Sequence, residues 1–408
     1  MAIKRGVGVV AAAAVLTLLA ACSSSPAGTS SGSGARTVKV GIMIDETGPN
    51  AAAWTGYQTA IKVAFHDINK DGGVNGVKAT YVIADSQSST SATLSAAQNL
   101  IEQDHVSVLM PMDQYFYAAE PYVLAQKIPV IGTGFDGPEW QVKSNTNLFN
   151  ADGNFDRYGI YTGIGQFVKD NGGTVCGAVG ASDSPSSTLQ ANQFIAECEA
   201  VGLKGTPVNS SLPFGSTDVG ALALQLKSEH VNALFLPILT TTEFPLLAQL
   251  KQLGADIKLP ILRTGYASST LQSKATVAAA QGFVFDLTAA PVELQTPGAE
   301  DMKAALAAAG TPGPPSYGQT TIWAEAQALK AGLEKLGSKE PTPANLITAL
   351  RSVNDFNDGG LLAPLKINFT QYNTKSNCTW FVKLTGDAFV PYPGTPSCST
   401  ATKDLPSS

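Results

Sequence analysis

Short apolar, β-branched runs alternate with stretches of helical spacing along most of this chain. Residues 38–44 are a short apolar, β-branched run, broken only by Lys39, that stops at Asp45-Glu46-Thr47-Gly48-Pro49, the signature of a buried strand that ends in a turn-rich loop. Ala60, Ile61, Ala64, Phe65 and Ile68 then recur at helical spacing, while Lys62, Asp67 and Lys70 lie off that face. Asp71-Gly72-Gly73 stops the helix, and residues 81–84 read as the returning strand. This βαβ unit puts the loop at residues 45–54 at the carboxyl end of a parallel sheet, where open α/β folds bind ligands.

The alternation continues. The pattern predicts a helix over 91–103, a strand over 107–111, a helix over 115–126 and a strand over 129–131, with 136–150 as a crossing segment. A second block follows, with helices over 155–171, 186–199, 215–229 and 244–253 and strands over 174–179, 232–237 and 259–262. The remainder is mixed: a strand at 282–287, a loop at 289–297, helices at 301–309, 317–336 and 342–352, and strands at 365–369 and 379–384. Alternation of this kind means parallel sheets covered by helices, and two blocks mean two sheets. A chain of 408 residues also exceeds a single hydrophobic core.

The amino terminus is of another kind. Lys4-Arg5 precedes an apolar run over 6–18, too short for a membrane span of roughly 20 residues, and Leu19-Ala20-Ala21-Cys22 follows. Residues 1–21 therefore read as a secretory signal peptide. LAAC resembles the lipobox of bacterial lipoproteins, which implies lipidation of Cys22, with 22–36 as a Ser/Gly-rich tether; the alternative is an ordinary cleaved signal with an incidental cysteine. Removing Lys4 and Arg5 from the 26 basic residues leaves 24 against 32 acidic, a formal charge of −8 with no basic patch, which argues against nucleic acid as a partner. Apart from Cys22, four cysteines remain, an even number that suits disulfides in an oxidising compartment. Three pairings are possible. The favoured one joins Cys176 to Cys198, a strand to its following helix, and Cys378 to Cys398 across a carboxyl-terminal loop. No CxxC is present and His66, His105 and His230 are scattered, so no metal site is expected; GxxxxGK[ST] is absent, and no GxSxG forms a nucleophile elbow between a strand and a helix, the string at 28–32 falling in the Ser/Gly-rich tether. Gly159, Gly163 and Gly165 fall within an expected helix and read as packing positions.

Three fragments carry a family resemblance: GIMIDETGPNAAAWTGYQTAIKVAFHDINKDGGVNGVK at 41–78, IPVIGTGFDGPEW at 128–140 and SYGQTTIWAEAQALKAGLEKLG at 316–337. In that order they resemble the leucine/isoleucine/valine-type (type I) periplasmic solute-binding proteins of ABC importers. The resemblance implies two Rossmann-like lobes with parallel sheets joined by a three-segment hinge. The first lobe would be 37–145 with 283–360, the second 146–282 with 361–398, and 399–408 a tail. It further implies an extracytoplasmic monomer, held at the membrane by its lipid, with a small-molecule solute and ABC permease subunits as partners and neither catalysis nor a cofactor.

Such a protein binds solute between the carboxyl ends of both sets of strands, which makes the loops after strands the candidate site. From the first lobe these offer Trp54, Asp113, Gln114, Tyr115, Thr133, Gly134, Phe135 and Asp136; from the second, Ser182, Asp183, Thr240, Glu243, Thr264 and Tyr266. Amino-acid-binding members typically carry serine where Asp113 falls and often threonine where Asp136 falls, and the second-lobe acid that meets the ligand ammonium is not evident in Thr264-Gly265-Tyr266. Carboxylates there would repel a ligand carboxylate, which points to a cationic, hydroxylated or aromatic solute. The competing reading makes Asp113 or Asp136 a cap on the following helix. A sensor for a membrane signalling partner and a secreted α/β hydrolase are the alternative functions.

Overall fold

The computed structural model describes residues 36–134, 138–152, 159–370 and 376–404. The first lobe opens with β1 (Arg36–Ile44), α1 (Tyr57–Asn69), β2 (Val77–Asp85), α2 (Thr90–Glu102), β3 (Val108–Met112), α3 (Glu120–Gln126), β4 (Val130–Gly132) and β5 (Leu148–Asn150). The second contains β6 (Gly159–Ile160), α4 (Gly163–Asp170), β7 (Val175–Ala181), α5 (Pro185–Ala200), β8 (Lys204–Gly205), β9 (Asn209–Leu212), α6 (Gly220–Ser228), β10 (Ala233–Leu236), α7 (Thr240–Gln252), β11 (Leu259–Leu262), α8 (Ser268–Gln272), α9 (Lys274–Ala279) and β12 (Val284–Leu287). Helices α10 (Pro297–Ala308), α11 (Tyr317–Leu336) and α12 (Pro343–Leu350) return to the first lobe, and β13 (Ser376–Thr385), β14 (Ala388–Pro391), β15 (Ser397–Thr400) and β16 (Lys403–Asp404) to the second.

The first sheet is parallel in the order β2-β1-β3-β4-β5. Seven successive residues of β1, Val38 to Ile44, include only one that is not buried, Lys39, because helices cover both faces. Val40, Ile42 and Ile44 pack toward α1 and α11, whereas Met43 faces α2 and α3 with Leu100, Phe116 and Val123. In the second sheet the parallel strands run β8-β7-β10-β11-β12, and β13 and β14 extend them antiparallel. Phe194 of α5 stacks on Phe235 of β10 on one face, and Leu222, Leu246 and Leu250 of α6 and α7 cover the other. Disulfides join Cys176 to Cys198 and Cys378 to Cys398.

Several expectations give way. Residues 148–150, read as crossing segment, are the fifth parallel strand, so the first lobe runs past 145; two buried apolar residues, Leu148 and Phe149, suffice for a ladder against β4. Residues 284–287, assigned to the first lobe, pair with β11 and β13 in the second sheet, so the return crossing begins after Leu287 and not at 283. Among the described residues the expected strand at 365–369 makes one isolated bridge, Phe356 to Ile367: Leu365, Ile367 and Phe369 are buried alternately, but no strand among the described residues pairs along them. The expected tail, 399–408, takes in the last two residues of β15, which pairs with β13, and all of β16, which pairs with β6. Within the expected helix 155–171, Gly159 and Ile160 form strand β6 and the helix starts only at Gly163. Cys22 and the signal segment lie outside the described residues. No helix among the described residues is long and apolar enough to cross a membrane.

Candidate functional site

In each lobe the strand order reverses beside the first strand, between β1 and β3 and between β7 and β10, and that reversal opens a crevice at the carboxyl ends. The two crevices face one another. At the first, Asp45 ends β1 with its carboxylate fully buried, accepting from Asn50 Nδ2 (2.6 Å), Ser86 Oγ (2.8 Å) and Ser88 N (3.1 Å), which folds the 45–54 loop onto the sheet. Asp113 ends β3 in the same manner: Oδ2 accepts from Thr93 Oγ1 at 2.6 Å and Oδ1 from Tyr115 N at 2.7 Å. Burial, with Asp45 beside it, pushes the Asp113 carboxyl up to about 7.

The second crevice is tied together by polar side chains at the start of α5. Ser184 caps that helix by accepting from Ser187 N at 3.2 Å, and Ser187 Oγ donates to Pro237 O at 2.6 Å, joining α5 to the end of β10. Asp183 Oδ1 accepts from Phe214 N at 3.0 Å and holds the Phe214 loop toward the first lobe. At the end of β11, Arg263 pairs with Asp286 of β12 (3.0 Å), and Thr264 Oγ1 donates to Glu243 Oε2 (3.0 Å). Asp286 and Glu243 are both fully buried, and burial raises both carboxyls above their ordinary range.

The lobes meet over two small cavities, each about 30 Å³ and large enough for one water. Arg263, Thr264 and Tyr317 line both. Ala53, Gln114, Gln190, Phe214 and Ile238 complete one; Tyr266, Asp286, Leu287 and Thr320 are among the walls of the other. Tyr317 comes from the first turn of α11, which Ser316 and Gln319 cap reciprocally, so the helix start is fixed in the cleft. Trp54 packs behind it with ring centroids 6.0 Å apart. The walls thus combine one guanidinium, amide and hydroxyl groups, and apolar surface.

A family profile described as periplasmic binding protein matches residues 37–388. This chain belongs to the periplasmic binding protein family. Leu/Ile/Val-binding protein BraC3 of Rhizobium johnstonii is 26% identical over 316 residues, 77% of this chain and 83% of that one. A solute-binding protein of R. palustris solved with benzoate superposes with a TM-score of 0.74 at 16% identity, covering 90% of this chain and 99% of that one. LivJ of Streptococcus pneumoniae, solved with isoleucine, gives 0.69 at 18% identity, covering 88% and 100%. At such identities the likeness is one of fold, the two-lobed α/β architecture expected from the sequence fragments.

Within this periplasmic binding protein the expected loop residues separate into three groups. Gln114, Thr264 and Tyr266 line the cavities. Trp54, Asp113, Tyr115, Thr133 and Glu243 are buried in the closed form, Asp113 and Glu243 with hydrogen-bond partners in their own lobes and Tyr115 near enough to Asp183 of the second lobe to feel its charge; Asp183 accepts from Phe214 N, and Gly134 stands at φ 66 with Asn150 where a Cβ would be. Ser182 is exposed, and Phe135 and Asp136 lie outside the described residues. Thr240 and Glu243 are not loop residues: α7 begins one turn earlier than expected, because Leu239 O accepts from Thr242 N and Glu243 N. The sequence reading missed Arg263 and Tyr317. Arg263 directly follows a strand read over its full length, 259–262, so the rule that selects Thr264 selects it too. Tyr317 had a weaker signal, a capped helix start with no strand before it.

Proposed function

We propose that this protein is an extracytoplasmic solute receptor, anchored through Cys22, that clasps a small carboxylate with an apolar or aromatic body between its lobes and delivers it to an ABC permease. The observation that carries this reading is Arg263, a guanidinium in the wall of both cavities opposite Gln114 and Tyr317. Guanidinium groups favour carboxylates through paired N–H donors, and the surrounding apolar walls accommodate a hydrocarbon body. Of the two carboxylates behind the expectation of a cationic, hydroxylated or aromatic solute, Asp113 has both oxygens accepting hydrogen bonds inside the first lobe and Asp136 lies outside the described residues. Benzoate, isoleucine and, by the description of a Thermomonospora curvata neighbour, fatty acid are associated with proteins of this fold, and each molecule carries a carboxylate. Cavities of one water's volume mean that the lobes separate to admit solute and close around it, a hinge motion that converts binding energy into a population shift.

A thermal-shift screen of aromatic and aliphatic carboxylates, amines and sugars tests the reading. A carboxylate at a hundred times its dissociation constant stabilises the fold by about 2.7 kcal/mol. The Arg263→Gln/Asp286→Asn double variant, which leaves no buried charge unpaired, is expected to lose that shift. Absence of protection by every carboxylate, or protection that survives the double variant, overturns the assignment.

A further inference from the structure

Away from the cleft, a cavity of about 250 Å³ lies in the first lobe between α1, α10 and α11, closed at one end by the turn Asp358–Gly360. It is the volume of roughly eight waters. Trp323, Gln327 and Lys330, spaced four and three along α11, present one helix face to it, and Asp67 and Lys70 come from the end of α1. Asp67 is already satisfied, accepting from Lys330 Nζ (2.8 Å), Lys70 Nζ (2.6 Å) and Gln327 Nε2 (3.0 Å). Asp358 is different. Its residue is 4% exposed and lines the cavity beside the Trp323 indole, and its Oδ2 has no hydrogen-bond partner among the described residues.

The backbone is held to keep it there. Asp358 stands at φ 51, followed by Gly359 at 59 and Gly360 at 100, a run of left-handed residues that is costly for a non-glycine. Gly298 of α10 lies so close that a Cβ on it would be 2.3 Å from Asp358 O, which pins the turn against the helix. The cavity shares Asp67, Lys70 and Ala305 with an adjoining groove whose surface includes Val63, Phe65, Tyr81 and Ala309. A buried carboxylate oxygen without a donor, an indole beside it and an apolar groove leading away form a polar head pocket with an apolar run.

We propose that this cavity is a second ligand site, separate from the cleft, that takes the ammonium group of a small primary amine on Asp358 Oδ2, with its hydrocarbon body along the groove of Phe65 and Tyr81. The ammonium supplies the missing donor. Asp67, Lys70, Asp301 and Lys330 also face the cavity; Asp67 with its two lysine partners leaves one positive charge, which Asp301 balances, so Asp358 is the charge left to meet the ligand. Burial raises the Asp358 carboxyl to about 8, so amine binding near neutral pH displaces a proton.

Isothermal titration of the full chain with butylamine and with phenethylamine at pH 6, 7, 8 and 9 reads this out. Both amines stay protonated over that range, and affinity is expected to rise about tenfold per unit to pH 8 and then level as Asp358 becomes ionised without ligand. Asp358→Asn, which keeps the size and tolerates the left-handed backbone, is expected to abolish both the binding and its pH profile. The Arg263→Gln/Asp286→Asn protein is expected to bind amine normally. No amine binding at pH 9, binding that survives Asp358→Asn, or binding lost with the cleft variant each overturns the proposal. Because carboxylate binding in the cleft is read with different probes, either site can fail without the other.

Discussion

At the scale of single residues, the carboxyl groups of this protein divide by what surrounds them. Asp113, Glu197 and Asp358 are buried enough to be raised to about 7, 8 and 8, whereas Asp67 is pushed up by burial but pulled further down, to about 2, by hydrogen bonds from Lys330, Lys70 and Gln327. A carboxyl whose pKa is higher folded than unfolded holds extra protons in the folded state between the two values, so stability falls as pH rises through that window. For the first three the window runs from about pH 4 to about 8. Asp67 acts oppositely, and its contribution disappears only as pH drops from 3.8 toward 2. Urea unfolding is therefore expected to show greater stability at pH 5 than at pH 8.5; equal or greater stability at pH 8.5 would mean that these acids are already ionised in the folded protein at pH 5. None of this was legible residue by residue. Asp113 is the instructive case, since a carboxylate after a strand reads as a ligand contact or as a helix cap with equal ease, whereas its oxygens accept from Thr93 Oγ1 and Tyr115 N and it caps neither of the helical turns that follow.

At the scale of elements, periodicity served where one face of a helix or both faces of a strand are buried. The helix over 317–336 and the strand over 259–262 have the same limits in the sequence reading as in the structure. It failed where burial and backbone pairing part company, as at 365–369, and where threonine and proline imitate a boundary: Pro245 sits six residues into α7, not at its start. Glycine-rich segments carry a packing signal that composition alone cannot locate. A Cβ on Gly165 of α4 would lie 2.3 Å from Glu197 O of α5, so Gly165→Ala must push the two helices apart. The expected cost is about 1–3 kcal/mol, measured as a lower denaturation midpoint. Gly172→Ala meets nothing within 4 Å and serves as the comparison, its cost confined to its positive φ of 82.

At the scale of the molecule, the two lobes are closed against each other, and Pro49 of the first loop approaches Gly215 beside Phe214 of the second lobe. A Cβ built on Gly215 lies 3.9 Å from Pro49 Cβ, close to the separation of about 3.8 Å that a disulfide bridges. Oxidised Pro49→Cys/Gly215→Cys is expected to trap the closed form and to take up ligand from solution far more slowly than the reduced protein. Uptake at equal rates in both forms would mean that solute reaches the cleft without lobe separation. The sequence by itself determined the two α/β blocks, the helices that cover them and the crevices in which to look, because burial imposes a period on the chain that any reader can count. It did not determine which loop residues face the cleft, where 284–287 would pair, or that Asp358 would stand without a donor beneath α11. Those depend on contacts between segments far apart in the chain, such as Arg263 opposite Gln114 and Trp323 beside Asp358, and no local pattern encodes a partner that arrives from elsewhere in the fold.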